Sequence, residues 1–82
     1  MDKVNSEELK LILMMHSEWL QGKPEGKQAV LSNANLSGLD LTRQNLEKAD
    51  LSGVNLRGTI LLLSNLKAAI LSQADLTGAD LT

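Results

Sequence analysis

The sequence predicts an all-β repeat fold closed at its N-terminal end by an α-helix, and three observations predict it. From Ala29 to Thr82 a leucine falls on every fifth residue without a miss: Leu31, Leu36, Leu41, Leu46, Leu51, Leu56, Leu61, Leu66, Leu71, Leu76 and Leu81. A mostly small residue stands two positions before each leucine, and Asn or Asp dominates the position immediately before it. Ahead of this series, apolar residues recur at helical spacing instead. The chain therefore divides into a helix with its linker at residues 1–28 and a repeat segment at 29–82.

The N-terminal segment reads as follows. Asn5 followed by Glu8 forms a capping-box pattern, with Val4 and Leu9 placed as a hydrophobic staple. Leu9, Ile12, Leu13, His16, Trp19 and Leu20 share one face, Met15 widens it, and Lys10, Ser17 and Gln21 lie opposite. Gly22 suits the residue after the helix and Pro24 blocks its continuation. The helix is predicted from Ser6 to Gln21, followed by a polar loop at Gly22–Gln28. His16 is the only histidine, and no cysteine exists to share a metal with it. It is expected as a buried imidazole bonded to a backbone group where helix meets repeats. Leu11 and Met14 fall toward the polar side and leave some apolar surface exposed.

In the repeat segment a period of five fits neither a 3.6-residue helix nor a flat strand of period two. It requires a chain that turns a corner once per repeat, so that the leucine and the small residue point inward each time. Gly38, Gly53, Gly58 and Gly78 suit corners at positive φ. Arg43, Lys48, Leu63 and Gln73 occupy the same position, so other turns are expected there.

The A(D/N)LXX pattern, as in ANLSG, ADLSG and ADLTG, resembles the pentapeptide-repeat family over about two-thirds of the chain. The lead-in WLQGKPEGKQAVLSNANLSG also looks like the helix and linker that many members carry. The resemblance implies a right-handed quadrilateral β-helix with four repeats per coil. Residues twenty apart then stack, and 54 repeat residues make about 2.7 coils. In that register Glu47 and Lys67 form an opposite-charge pair, Asn35, Asn55 and Asp75 stack in one column, and no two carboxylates become immediate vertical neighbours.

Composition sets the outer limits. At 82 residues this is one small domain, and the lack of cysteine removes disulfides and thiolate metal sites. A net charge of −2 with interspersed signs gives no reason to expect nucleic acid or an anionic membrane as partner. Leu9–Met15 is too short to span a bilayer and lacks the flanks of a signal peptide, so a cytoplasmic location is expected. No phosphate-binding loop, facing carboxylates or nucleophile–base pair is present, so neither an enzyme nor a cofactor is expected.

The expected function is a non-catalytic protein–protein interaction or structural scaffold. Its N-terminal leucines are covered by the helix, whereas the pattern runs to Thr82 uncapped and leaves a layer of Leu66, Leu71, Leu76 and Leu81. A homodimer joined through that last coil is expected, or else a longer repeat protein. The repeat TILLL at 59–63 adds a small outward apolar patch of Ile60, Leu62 and Leu63 among polar neighbours. The family implies an alternative, since some members are acidic rods that imitate DNA and bind type II topoisomerases. Here the coils carry only Asp40, Glu47, Asp50, Asp75 and Asp80 against Arg43, Lys48, Arg57 and Lys67, so an anionic surface is hardly present.

Overall fold

The computed structural model describes residues 3–81. It contains one helix, α1 (Ser6–Leu20), with Gln21 as its C-cap. Asn5 caps the N-terminus in an extended conformation, and its side-chain oxygen accepts the Glu7 N–H at 2.8 Å. An orphan donor of the first turn is thereby satisfied. Glu7 and Glu8 stand in that turn, where the helix dipole favours negative charge. Leu9 and His16 are fully covered, while Leu11 and Met14 face outward.

The repeats wind into a four-cornered coil whose successive turns stack at a register of twenty residues. Val30, Asp50 and Ile70 pair in one column, and Asn35, Asn55 and Asp75 in the next. Asp40, Ile60 and Asp80 form the third, and Asn45 and Asn65 the fourth. Every bridge is parallel and isolated, so no continuous strand forms among the described residues. The all-β expectation is corrected to this extent, and the reason is local. A corner every five residues leaves room for one paired residue before the chain turns again. The bonds between coils are nonetheless regular. Leu36 N–H donates to Asn55 O, Gly38 N–H to Arg57 O, and Asn55 N–H to Ala34 O, each at 2.9 Å.

All the corners are alike, which overturns the expectation of separate turns for glycine and non-glycine positions. Arg43, Lys48, Leu63 and Gln73 adopt φ of 57° to 62°, beside 65° to 71° at the corner glycines Gly38, Gly53, Gly58 and Gly78. Asn33 and Ala68 join them at 60° and 59°. Each corner closes with a bond from the residue three positions after the leucine back to the leucine carbonyl, as from Ala49 to Leu46 and from Ala69 to Leu66, both at 3.0 Å. Positive φ at the third residue alone defines a type II turn. Stacking demands one corner geometry throughout, and side chains other than glycine accept the strain.

The preference for Asn or Asp before the leucine has an equally local cause. The side-chain oxygens of Asn35, Asp40, Asn45, Asp50, Asn55, Asn65 and Asp75 each accept the N–H two residues on, at 2.9 to 3.1 Å. This Asx turn fixes the approach to the corner at those seven positions. Inside the coil, Leu36, Leu46, Leu51, Leu56 and Leu61 are covered together with Ala49 and Val54. Thr59 takes a small-residue position there, and its hydroxyl donates to Leu36 O at 2.9 Å, which removes the cost of burying it.

Candidate interaction surface

The two ends of the stack differ. At the N-terminal end α1 lies over the first leucines, with Leu9 in the core and Ile12 and Leu13 packed against it. His16 sits at the centre of this junction, fully buried. Its Nδ1 accepts the Ala29 N–H at 2.9 Å, and its Nε2 lies 2.8 Å from Glu47 O. An imidazole that accepts at Nδ1 and faces a carbonyl at Nε2 carries its proton on Nε2. Trp19 stacks on it with ring centroids 5.6 Å apart. Sequence reasoning placed this residue correctly as a backbone-bonded core histidine.

The linker returns tightly to the helix. Lys27 N–H donates to Met15 O at 3.0 Å, and Gly26 passes so close that a Cβ there would collide with the Trp19 backbone nitrogen. Gly26 is thus required by proximity. The sequence showed only a glycine in a loop.

At the other end the leucine column loses its cover. Leu61 is 2% exposed, Leu66, Leu71 and Leu76 are half-buried, and Leu81 is 54% exposed. The N–H groups of Leu66, Ala68, Leu71, Gln73, Leu76 and Gly78 take no partner among the described residues. Their counterparts one coil earlier, such as Leu46, Lys48, Leu51 and Gly53, all donate to the coil that follows. This end therefore presents apolar side chains ringed by backbone donors.

The repeat at 59–63 is less uniform than predicted. Leu63 is 70% exposed at its strained corner and Ile60 is 37% exposed, but Leu62 is half-buried. Ile60 pairs between Asp40 and Asp80, so the apolar surface here stays narrow. Two exposed apolar residues were missed: Val30 and Ile70, which flank Asp50 in one column. The signal was available, since both break the Asn/Asp rule before the leucine, as Ile60 does.

Charge stacking also departs in detail. Glu47 accepts a bond from Asn65 Nδ2 at 3.4 Å, and no ion pair with Lys67 forms. The cross-coil pair is instead Arg57 with Asp75, Nε to Oδ2 at 3.7 Å and largely exposed. The carboxyl groups of Asp40, Asp50 and Asp75 are held below the ordinary carboxylate range. The hydroxyls of Thr42, Ser52 and Thr77 are the main cause, followed by the N–H groups of the same residues. No helix among the described residues is long and apolar enough to cross a membrane.

Stacked corners, an inward leucine column and a helical lid define a short solenoid of the repeat-protein class. The family described as pentapeptide repeats matches residues 27–61 and 63–82, in eight copies. The chain belongs to the pentapeptide-repeat family. The gap in the match falls at Leu62, inside the least regular repeat. Neither the curated proteins nor the solved structures compared with the chain gave a match.

Proposed function

We propose that this chain is a non-catalytic interaction module, built as a right-handed quadrilateral β-helix, that self-associates through its last coil. One observation carries the reading. The leucine column passes from full burial at Leu56 and Leu61 to 54% exposure at Leu81, within a face whose backbone donors at Leu66, Leu71 and Leu76 have no partner among the described residues. A face of that kind gains from being covered, because apolar area and open donors are both satisfied by another polypeptide edge. A second copy supplies the same five-residue spacing of leucines and backbone groups, which an unrelated flat surface does not. The only histidine is buried with both ring nitrogens bonded, which supports a structural role for it and a non-catalytic reading of the chain. An acidic DNA-like surface has less support, since Arg57 already lies against Asp75.

The solution mass of the intact chain tests the proposal. A species of twice the 8.9 kDa chain mass is expected, returning to single mass when Leu76 or Leu81 is replaced by Asp. A chain that stays at single mass at high concentration overturns self-association.

A further inference from the structure

The C-terminal edge of the stack repeats one set of backbone groups on each side. The N–H groups of Leu66, Leu71, Leu76 and Leu81 take no partner among the described residues, nor do the C=O groups of Ser64, Ala69, Ala74 and Ala79. One coil earlier the same groups are bonded: Leu51 N–H donates to Ile70 O at 2.8 Å, and Ala49 O accepts Ile70 N–H at 2.9 Å. Between each open C=O and the open N–H that follows stands a bridge residue, Asn65, Ile70, Asp75 or Asp80. Such a residue is one half of a non-hydrogen-bonded antiparallel pair, and a second of the same kind completes it. The edge is therefore complementary to a copy of itself. In that pairing each leucine lies opposite a residue two positions before another leucine, so that large side chains meet mostly alanine. The other end of the stack is less available, since Val4 bonds Asn35 O and His16 faces Glu47 O.

Two identical edges meet about a two-fold axis that crosses the stack, and the axis can run through opposite sides or opposite corners. The helical rise distinguishes these settings. Each side stands about 1.2 Å above the one before it, a quarter of the strand spacing of about 4.8 Å. Only one setting keeps the gap equal all round: the lowest side, at Asn65, lies over the highest, at Asp80, and Ile70 lies over Asp75. Every other setting places Asp75 against Asp75, Asp80 against Asp80, or Asp75 against Asp80. Like charges directly opposite are destabilising. Rise and charge thus select the same register.

We propose that two copies of the chain join their last coils by antiparallel pairing, Ile70 beside Asp75 and Asn65 beside Asp80 of the second copy. This rests on the self-association proposed above and adds its register. Leu71 N–H then donates to Ala74 O of the second copy, and Ala69 O accepts its Leu76 N–H. Leu66 with Ala79, and Ser64 with Leu81, repeat the arrangement on the remaining sides. All the open leucine donors and small-residue acceptors are satisfied, while the corner N–H groups of Ala68, Gln73 and Gly78 stay with solvent.

The chain has no cysteine, so single introduced thiols report the register. Residues in a non-hydrogen-bonded antiparallel pair have Cα atoms about 4.5 Å apart, within disulfide reach. Ile70→Cys and Asp75→Cys chains, mixed and oxidised with glutathione disulfide, should shift from 8.9 kDa to twice that mass under denaturing, non-reducing conditions. Either variant alone should stay at single mass. Crosslinking of one variant alone overturns the register, as does no crosslinking in the mixture while the wild type sediments at twice the chain mass; self-association stands in both cases. A wild type at single mass at high concentration overturns both. Hydrogen exchange of the wild type decides if circular dichroism shows that Asp75→Cys does not fold. The amides of Leu66, Leu71 and Leu76 should slow together by about tenfold or more on self-association, with those of Ala68, Gln73 and Gly78 remaining fast. Protection of only some of the leucine amides, or of the corner amides as well, overturns the register.

Discussion

His16 stands in for a missing stretch of coil: its Nε2 bonds the Glu47 carbonyl at 2.8 Å while its Nδ1 takes the Ala29 N–H at 2.9 Å. In the regular stack a carbonyl at this position is bonded by a backbone N–H nineteen residues earlier, as Ser52 O is by Asn33. One side chain on α1 thus ties the helical lid both to Ala29, where the repeats begin, and to Glu47 near the end of the first coil.

Replacement of His16 by Leu keeps the volume and loses both bonds. Two buried backbone groups are left unsatisfied at about 1–3 kcal/mol each, so a loss of roughly 3 kcal/mol is expected. Urea denaturation measures it. A change below roughly 1 kcal/mol would show that the lid is held by its apolar face alone.

Gly26→Ala should destabilise by roughly 1–3 kcal/mol, the usual range for overpacking. The added carbon would meet the Trp19 and Glu18 backbone, which cannot swing aside as a side chain would. Gly58→Ala provides a comparison in open space, where only the cost of a φ of 68° applies. Thermal melts of the two variants should rank Gly26→Ala as the more damaging.

Leu63→Gly should raise stability by up to about 1 kcal/mol. Relief of left-handed strain, about 1–2 kcal/mol, exceeds the added chain entropy of glycine, about 0.4–1 kcal/mol. The leucine side chain is 70% exposed, so little packing is lost. A lower melting temperature would mean that Leu63 contributes contacts outweighing its strain.

Stability should fall in acid through Asp40, Asp50 and Asp75. Their carboxyl groups ionise more readily in the folded chain than in the unfolded one, so the stabilisation is present above the unfolded value of about 4. It is lost as pH falls through the lower folded values. Thr42→Val and Thr77→Val remove the hydroxyl donors that chiefly lower Asp40 and Asp75, and should flatten the decline below about pH 4. Denaturation midpoints at neutral and acid pH, compared between wild type and the double variant, give the answer. An unchanged slope would refute the assignment.

Much of the scaffold was legible because its rules are local. Leucine spacing gave the inward column and a corner once per repeat, whereas the Asx turn behind the Asn or Asp preference appeared only in the structure. The helix was placed to within one residue at its C-terminal end, since Asn5 and Gly22 carry the start and stop chemistry. The corners at Arg43 and Leu63 were misread for the opposite reason. Propensity disfavours positive φ for such side chains, but pairing with the coils above and below imposes it. The contacts that the non-repeating segment makes with the first coil, such as Val4 with Asn35 O, were also invisible, because the repeats there read as ordinary.

The sequence by itself determined a five-residue corner, a leucine interior, a helical lid and a buried, backbone-bonded histidine. Tertiary structure decided that every corner shares one conformation and that Gly26 lies against Trp19. It also decided that Val4 bonds Asn35 O and that His16 bonds Glu47 O at the edge of the first coil. Local patterns follow from spacing and side-chain chemistry. Which backbone groups remain unpaired follows only from how the non-repeating segment lies across the repeating one.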